Sequence, residues 1–181
     1  MKILHTPKAE YTRDQDRMVV GIAQIAPVWL DRAATLVKVE AAIEQAVSEG
    51  CQLVTFGEAL VPGYPFWIDR TDGARFNDPR QKHHYARYVD QGVILERGDL
   101  DGVTALAKNH KVAVYLSVME RVPDRGSHSL YCTLVYVDAT GTIQSAHSKF
   151  CIPPMRNGLL GRRGMGMVCL FTSWGRSAWA D

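Results

Sequence analysis

The sequence predicts an α/β fold. Short runs rich in β-branched and apolar residues alternate with longer segments whose apolar residues recur at helical spacing. The first of these groups has the order strand, helix, strand, which favours two parallel neighbouring strands. A chain of 181 residues has the length of one domain with a substantial core.

The elements follow from local signals. Residues 18–25 form a buried strand that ends before Pro27, and Asp31 can cap the helix that follows. Gly50 ends this helix, and residues 52–56 form the next strand. The apolar stripe of the helix consists of Leu36, Val39, Ile43 and Val47.

A loop rich in proline, glycine and aromatic residues spans residues 61–78. Two helices are predicted after it, at residues 80–91 and 100–110, the second capped by Asp99. Residues 112–119 form another buried strand. Residues 130–137 and 142–147 then form a hairpin through Ala139-Thr140-Gly141.

Composition excludes several classes of function. Apolar residues make up 46% and charged residues 22% of the chain, as in ordinary globular proteins, and the net charge of +2 is too small to indicate a nucleic-acid or membrane partner. No apolar run approaches the roughly 18 residues of a membrane span, and residues 1–11 have no hydrophobic signal core. A cytoplasmic location is therefore expected. The four cysteines show neither CxxC pairing nor zinc spacing, so buried or incidental thiols are expected rather than a metal site.

Three charged residues stand at the predicted ends of strands. Glu58 follows residues 52–56, Glu120 follows residues 112–119, and Lys149 follows the second strand of the hairpin. Side chains beyond the carboxyl ends of strands line the ligand crevice of an open α/β sheet, so we expect the three to converge there. The alternative for each residue alone is a solvated surface position.

Aromatic residues surround Glu58 in the sequence. Among Phe56, Tyr64, Phe66 and Trp67, its carboxylate is expected to be desolvated, which suits a general base. Tyr64 and Trp67 are the candidate substrate-binding residues. The two histidines that follow, His83 and His84, are expected on an exposed helix face.

Four segments, in order, resemble the nitrilase family of carbon–nitrogen hydrolases. Residues 19–28 resemble its opening strand, and residues 53–59 followed by Pro62-Gly63-Tyr64-Pro65 resemble the segment that carries its general-base glutamate. Glu120-Arg121 with residues 130–133 resembles the strand of a second glutamate, and His147-Ser148-Lys149-Phe150 resembles the element with the catalytic lysine. The Gly-Tyr-Pro element resembles the corresponding segment of the nitrile-hydrolysing branch of the family rather than that of the amidases. Ser148 stands where the family usually has arginine.

The resemblance implies a four-layer α/β/β/α sandwich, of which this chain is an incomplete form. It also implies Glu58 as general base, Lys149 as the stabiliser of the tetrahedral species, and Glu120 as the residue that positions the lysine or water. Intact relatives are expected to act on nitriles or amides as homo-oligomers, with no metal or organic cofactor. None of the cysteines matches the family's nucleophile motif, and Cys169 is a weak candidate.

The last residues differ in character from the rest. Residues 155–181 contain four arginines and one aspartate, a net charge of +3, and lose periodicity. When the reading frame is shifted by one base, the codons of Met165-Gly166-Met167-Val168 must give two glycines, whichever synonymous codons are used. The shifted stretch can then read Asp-Gly-His-Gly-Leu-Pro-Val, which resembles nitrilase sequence. We interpret the tail as frameshifted; an ordinary divergent tail is the alternative. The chain is thus divided into an N-terminal extension (1–17), a partial carbon–nitrogen hydrolase domain (18–154) and the tail (155–181).

Two functions follow from these observations. The first is a nitrilase by descent that is inactive as given, because its nucleophilic cysteine is missing. The second is a non-catalytic binding or assembly module that pairs with full-length nitrilase subunits.

Overall fold

The computed structural model describes residues 18–71, 77–122 and 129–151, with the backbone alone for Asp69 and for residues 149–151. The predicted tail and N-terminal extension lie outside the described residues. One five-stranded sheet has the order β1-β2-β3-β4-β5, which confirms the predicted α/β class. The strands are β1 (Val20–Ala23), β2 (Leu53–Phe56), β3 (Ala113–Arg121), β4 (Leu130–Val137) and β5 (Ile143–Cys151), and the helices are α1 (Arg32–Ser48), α2 (Trp67–Arg70), α3 (Pro79–Asp90) and α4 (Asp101–His110).

The sheet is mixed. β1 and β2 are parallel, as predicted, and β2 is also parallel to β3, whereas β3, β4 and β5 are antiparallel. β1 is shorter than the predicted strand at residues 18–25. Its last partner is Phe56, where β2 ends, and a strand pairs only as far as its neighbour extends.

Helix α1 begins and ends as the sequence predicts. The carboxylate of Asp31 accepts a hydrogen bond from the backbone N–H of Ala34 at 2.9 Å, which satisfies one of the free donors of the first turn. The helix ends at Ser48, and Gly50 has a φ of +76°, a left-handed conformation that favours glycine. Its buried face consists of Thr35, Val39, Ala42, Ile43 and Ala46.

The predicted cap of α4 was wrong. The helix begins at Asp101, and Leu100 precedes it without a side-chain cap. The carboxylate of Asp99 instead accepts from the backbone N–H of Ile94 at 2.8 Å and from the guanidinium of Arg97 at 2.6 Å. These two donors engage the carboxylate in the turn before the helix, so Asp99 fixes that turn. Within the loop at residues 61–78, the short helix α2 was also missed.

The two faces of the sheet differ in what covers them. On one face, Val114, Leu116 and Val118 belong to the main core together with residues of α1 and α4. On the other face, a smaller cluster that contains Tyr88 and Val89 of α3 covers one end of the sheet. This face also carries Val20, Ile22, Thr55, Tyr115 and Cys132, of which Cys132 packs against the smaller cluster, and we call this face the open face.

The open face exposes apolar side chains. Ile22 is 77% exposed and Val20 is 44% exposed, although both belong to a sheet strand. Farther along, the rings of Tyr115 and Tyr136 stack with their centroids 4.6 Å apart. Of the helices in the described ranges, none is long and apolar enough to cross a membrane.

Candidate functional site

The segment after β2 holds Glu58 against β3. The backbone N–H of Ala59 donates to the buried hydroxyl of Ser117 at 2.9 Å. Two residues later, the N–H of Val61 donates to the carbonyl of Ser117 at 3.4 Å, and the carbonyl of Val61 accepts from the N–H of Met119 at 2.7 Å. Three hydrogen bonds therefore fix the backbone on the C-terminal side of Glu58.

The carboxylate of Glu58 meets a thiol on the neighbouring strand. The Sγ of Cys132 donates to Oε1 of Glu58 at 3.6 Å, and the same sulfur lies 3.7 Å from Oγ of Ser117. A carboxylate, a thiol and a hydroxyl from three segments thus form one polar group on the open face. We call Glu58, Ser117 and Cys132 the thiol–carboxylate cluster.

The expected desolvation of Glu58 was wrong, because the residue is exposed. The aromatic side chains expected around it pack elsewhere. Phe56 is part of the main core, and the ring of Phe66 stacks on Trp29 with centroids 4.6 Å apart. Phe56 and Phe66 therefore pack away from Glu58 and leave its carboxylate exposed.

Lys149 lies within β5 rather than after it. β5 runs to Cys151, four residues beyond the predicted strand end, because Leu130 at the start of β4 provides a partner for that last residue. In this register the backbone of Lys149 is directly opposite Cys132. Directly opposite residues of an antiparallel pair have their Cβ atoms about 5 Å apart. The register therefore brings the Lys149 position next to the thiol–carboxylate cluster.

Glu120 belongs to a second polar group. It is 7% exposed and lies inside β3, which continues to Arg121 rather than ending before the glutamate as predicted. Its Oε2 accepts from the hydroxyl of Thr133 at 2.6 Å and from the hydroxyl of Ser148 at 3.0 Å. The two hydroxyl oxygens are themselves 3.0 Å apart. Glu120 therefore ties together the three antiparallel strands.

The two carboxylates lie on opposite faces of the sheet. Cys132 and Thr133 are consecutive residues of β4, so their side chains leave opposite faces. The first contacts Glu58 and the second contacts Glu120. The expectation that all three charged residues meet in one crevice is therefore wrong for Glu120, whereas Glu58 and the backbone position of Lys149 are brought together.

The two candidate substrate-binding residues differ in exposure. Tyr64 is 62% exposed, and its carbonyl accepts from the indole N–H of Trp29 at 3.2 Å. Trp67 is 2% exposed, and its ring stacks on His84 with centroids 5.8 Å apart. The prediction that His84 is exposed was wrong because this stacking buries part of its ring, while His83 is exposed.

The indole nitrogen of Trp67 has no hydrogen-bond partner among the residues that the structure describes. No group of three or more histidine, cysteine, aspartate or glutamate side chains in these same ranges could hold a metal ion.

The sequence predicts Cys132 only as a buried or incidental thiol and does not predict its contact with Glu58. The signal that could have found it is its place in the same short segment that resembles the family, on the strand next to Lys149. The contact with Glu58 depends on the register of β4 against β3, which the sequence does not reveal.

Comparison with known proteins gives the family. Residues 19–171 match the family model described as carbon-nitrogen hydrolase. A protein named Nitrilase 2, from an unknown prokaryotic organism, is 36% identical over 132 residues, which are 73% of this chain and 40% of that protein. The aliphatic nitrilase of Rhodococcus rhodochrous is 32% identical over 144 residues, which cover 77% of this chain and 35% of that protein.

The fold is similar to that of a solved family member. The crystal structure of the carbon-nitrogen hydrolase from Helicobacter pylori G27 matches with a TM-score of 0.53 and 22% identity, over 75% of this chain and 40% of that one. The chain thus spans about two-fifths of the length of the proteins it matches. The family match covers most of the chain, and the mixed sheet agrees with a solved relative. This chain belongs to the carbon–nitrogen hydrolase family.

Proposed function

We propose that the chain carries the base and the lysine of a site that hydrolyses the carbon–nitrogen bond of a nitrile or amide. The observation that supports this most is the approach of two segments that resemble separate family motifs. Glu58 contacts Cys132, and Cys132 is the strand partner of Lys149. A carboxylate and a cation at one place suit a reaction in which a proton moves and negative charge develops.

In this proposal an intact enzyme adds a cysteine thiolate to the nitrile carbon. The resulting thioimidate takes up water and releases ammonia, and the acyl-enzyme is then hydrolysed to a carboxylic acid. Glu58 removes the proton of the attacking thiol or water, and Lys149 stabilises the charge of the tetrahedral species. The chemistry requires neither a metal nor an organic cofactor.

Glu120 acts as a positioning residue in this proposal. Its carboxylate accepts from Ser148, which directly precedes Lys149 in β5. It also accepts from the buried Thr133, so it fixes β5 against β4 at the place where the lysine stands. Glu120 thus holds the backbone of the lysine from the other face, without contact with the substrate.

We further propose that the 181-residue chain alone does not catalyse the hydrolysis of nitriles or amides. Covalent catalysis needs a nucleophile, and none of its four cysteines stands in a setting that resembles the family's nucleophile motif. The remaining base and cation offer residual catalysis at most.

The test is ammonia release from an aryl nitrile and an arylacetonitrile by the purified chain, compared with Glu58→Gln. We expect no release above that of the variant. Release that disappears in Glu58→Gln would refute inactivity and support the role of Glu58. If Cys169→Ala also abolished it, Cys169 would be the nucleophile.

A second candidate function is assembly with full-length nitrilase subunits. The exposed apolar side chains of Val20 and Ile22 on the open face favour it, since apolar surface of this kind marks an interaction site. Co-elution with a full-length nitrilase, lost in Ile22→Lys and retained in Val37→Lys on the exposed side of α1, would support assembly. Separate elution of the two proteins would contradict it.

A further inference from the structure

The residue after Glu58 has a strained backbone. Ala59 has a φ of +51°, in the left-handed region. An alanine adopts this region roughly tenfold less readily than the ordinary helical one, because its Cβ approaches the following carbonyl oxygen. Neighbouring groups must therefore hold Ala59 in this conformation. Glu58 and Ala59 share a peptide bond, so the orientation of that peptide also sets the direction in which the side chain of Glu58 leaves the backbone.

Two contacts hold Ala59 in place. Its side chain is 3% exposed and belongs to the smaller cluster, together with Leu30 and Met119. Its backbone N–H donates to Oγ of Ser117 at 2.9 Å. Ser117 is 4% exposed, so this hydrogen bond is buried, and a buried N–H that loses its acceptor is costly. The hydroxyl of Ser117 thus offsets the strain at Ala59.

Ser117 is also linked to the side chain of Glu58. Burial does not fix this carboxylate, which is exposed. The Oγ of Ser117 lies 3.7 Å from Sγ of Cys132, and the sulfur donates to Oε1 of Glu58 at 3.6 Å. A hydroxyl has two acceptor lone pairs and one proton, so it serves the N–H of Ala59 and the sulfur together. One buried hydroxyl therefore connects the backbone beside Glu58 with the partner of its carboxylate.

The chain beyond Ala59 is held in a different way. The N–H of Val61 donates to the carbonyl of Ser117, and the carbonyl of Val61 accepts from the N–H of Met119. These bonds involve backbone atoms alone, so they survive the removal of the Ser117 hydroxyl. A substitution of Ser117 is therefore expected to act on the peptide between Glu58 and Ala59 and to leave the following chain in place.

We propose that Ser117 is a positioning residue for Glu58. Its hydroxyl holds the Glu58–Ala59 peptide in the orientation that directs the carboxylate towards Cys132, whose strand partner is Lys149. Without the hydroxyl, the N–H of Ala59 has lost this acceptor and the strain is no longer offset. The peptide then turns, and the carboxylate leaves Cys132. This inference rests on the proposed role of Glu58 as the base.

NMR spectroscopy of the isotope-labelled 181-residue chain gives two measurements. One is the rate at which the amide of residue 59 exchanges with D₂O, and the other is the nuclear Overhauser effect between the γ-protons of Glu58 and the β-protons of Cys132. In Ser117→Ala, we expect the exchange to be about tenfold faster or more and the Overhauser effect to disappear. Thr133→Val is the matched control, because it removes a buried hydroxyl from the other face of the same sheet. Both measurements should stay unchanged in this control.

The double variant Ser117→Ala with Ala59→Gly separates the strain from the hydrogen bond. Glycine adopts a positive φ without steric cost, so the Overhauser effect between Glu58 and Cys132 should return. The amide of residue 59 should still exchange fast, because the hydroxyl acceptor is missing. If Ser117→Ala does not fold, this double variant decides, since it removes the same hydroxyl without the strain.

Four results would overturn the proposal. They are the absence of the Overhauser effect in the unmodified chain, its persistence in Ser117→Ala, its equal loss in Thr133→Val, and a double variant that lacks it, folded or not. None of these measurements needs turnover. The ammonia assay tests whether Glu58 is a base, whereas exchange and contact test only what holds it in place, so failure of one proposal is distinguishable from failure of the other.

Discussion

Replacement of Thr133 by valine tests whether the buried Glu120 group holds the antiparallel strands together. Thr133 is 0% exposed, and its hydroxyl donates to Oε2 of Glu120 at 2.6 Å. Valine keeps the shape of threonine and removes its hydroxyl, which bonds to Glu120 and lies 3.0 Å from the hydroxyl of Ser148. Glu120, itself 7% exposed, then keeps Ser148 as its remaining donor from this pair, at 3.0 Å.

The size of the effect follows from burial and charge. A hydrogen bond to a charged group contributes about 1.5–3 kcal/mol to stability, and loss of one partner leaves the other buried. We therefore expect Thr133→Val to lower the free energy of unfolding by about 2 kcal/mol. With a urea m-value of about 2 kcal/mol/M for a domain of this size, the midpoint shifts by about 1 M.

Urea unfolding followed by circular dichroism measures this shift. Thr55→Val is the matched control: it is a partly buried strand threonine, and within the described ranges its hydroxyl contacts no carboxylate. The double variant with Glu120→Gln should be less destabilised than the sum of the two single variants, because they remove the same interaction. Equal midpoints for Thr133→Val and Thr55→Val would refute the reasoning.

Two further predictions concern local structure. Hydrogen bonds from the side chains of Thr140 and Gln144 and from the backbone of Thr142 lower the pKa of Asp138 to about 2. Its ionised form therefore stabilises the hairpin above about pH 4, and this effect is lost as the pH falls towards 2. In Asp138→Asn the free energy of unfolding should therefore depend less on pH between 4 and 2. An NMR titration midpoint of Asp138 near 4 would contradict this. Asp31→Ala removes the cap of α1 and should cost about 1 kcal/mol in urea unfolding, whereas an unchanged midpoint would show that the cap contributes nothing.

Signals that act over a few residues were sufficient for much of the fold. The cap at Asp31 and the left-handed Gly50 fix α1 locally, and β4 was predicted at its observed bounds. The prediction that Asp99 caps α4 failed because its carboxylate accepts from Arg97 instead. A contact of this kind leaves no periodic pattern in the sequence. The predicted environment of Glu58 was wrong because the aromatic residues near it in sequence pack elsewhere: Phe56 in the main core, Phe66 on Trp29 and Trp67 on His84.

The place of Lys149 could not be derived by counting from the turn. Near the turn, Val137 pairs with Ile143, but the next pair is Tyr136 with Ser145, so Gln144 is an extra residue in β5. Without this bulge, Lys149 would stand opposite Tyr131, on the face of Glu120. A shift of one residue exchanges the faces of every later position, so the bulge decides whether the Lys149 position belongs to the face of Glu58 or to that of Glu120.

The central claim is that the backbone register assigns the Lys149 position to the face of the sheet that carries Glu58, while Glu120 lies on the other face. Treatment of the folded chain with a carbodiimide joins a carboxylate and an amine that are in direct contact, and mass spectrometry identifies the linked peptides. The account predicts a Glu58–Lys149 link that is absent in Glu58→Gln. A link from Lys149 to Glu120 instead would contradict it.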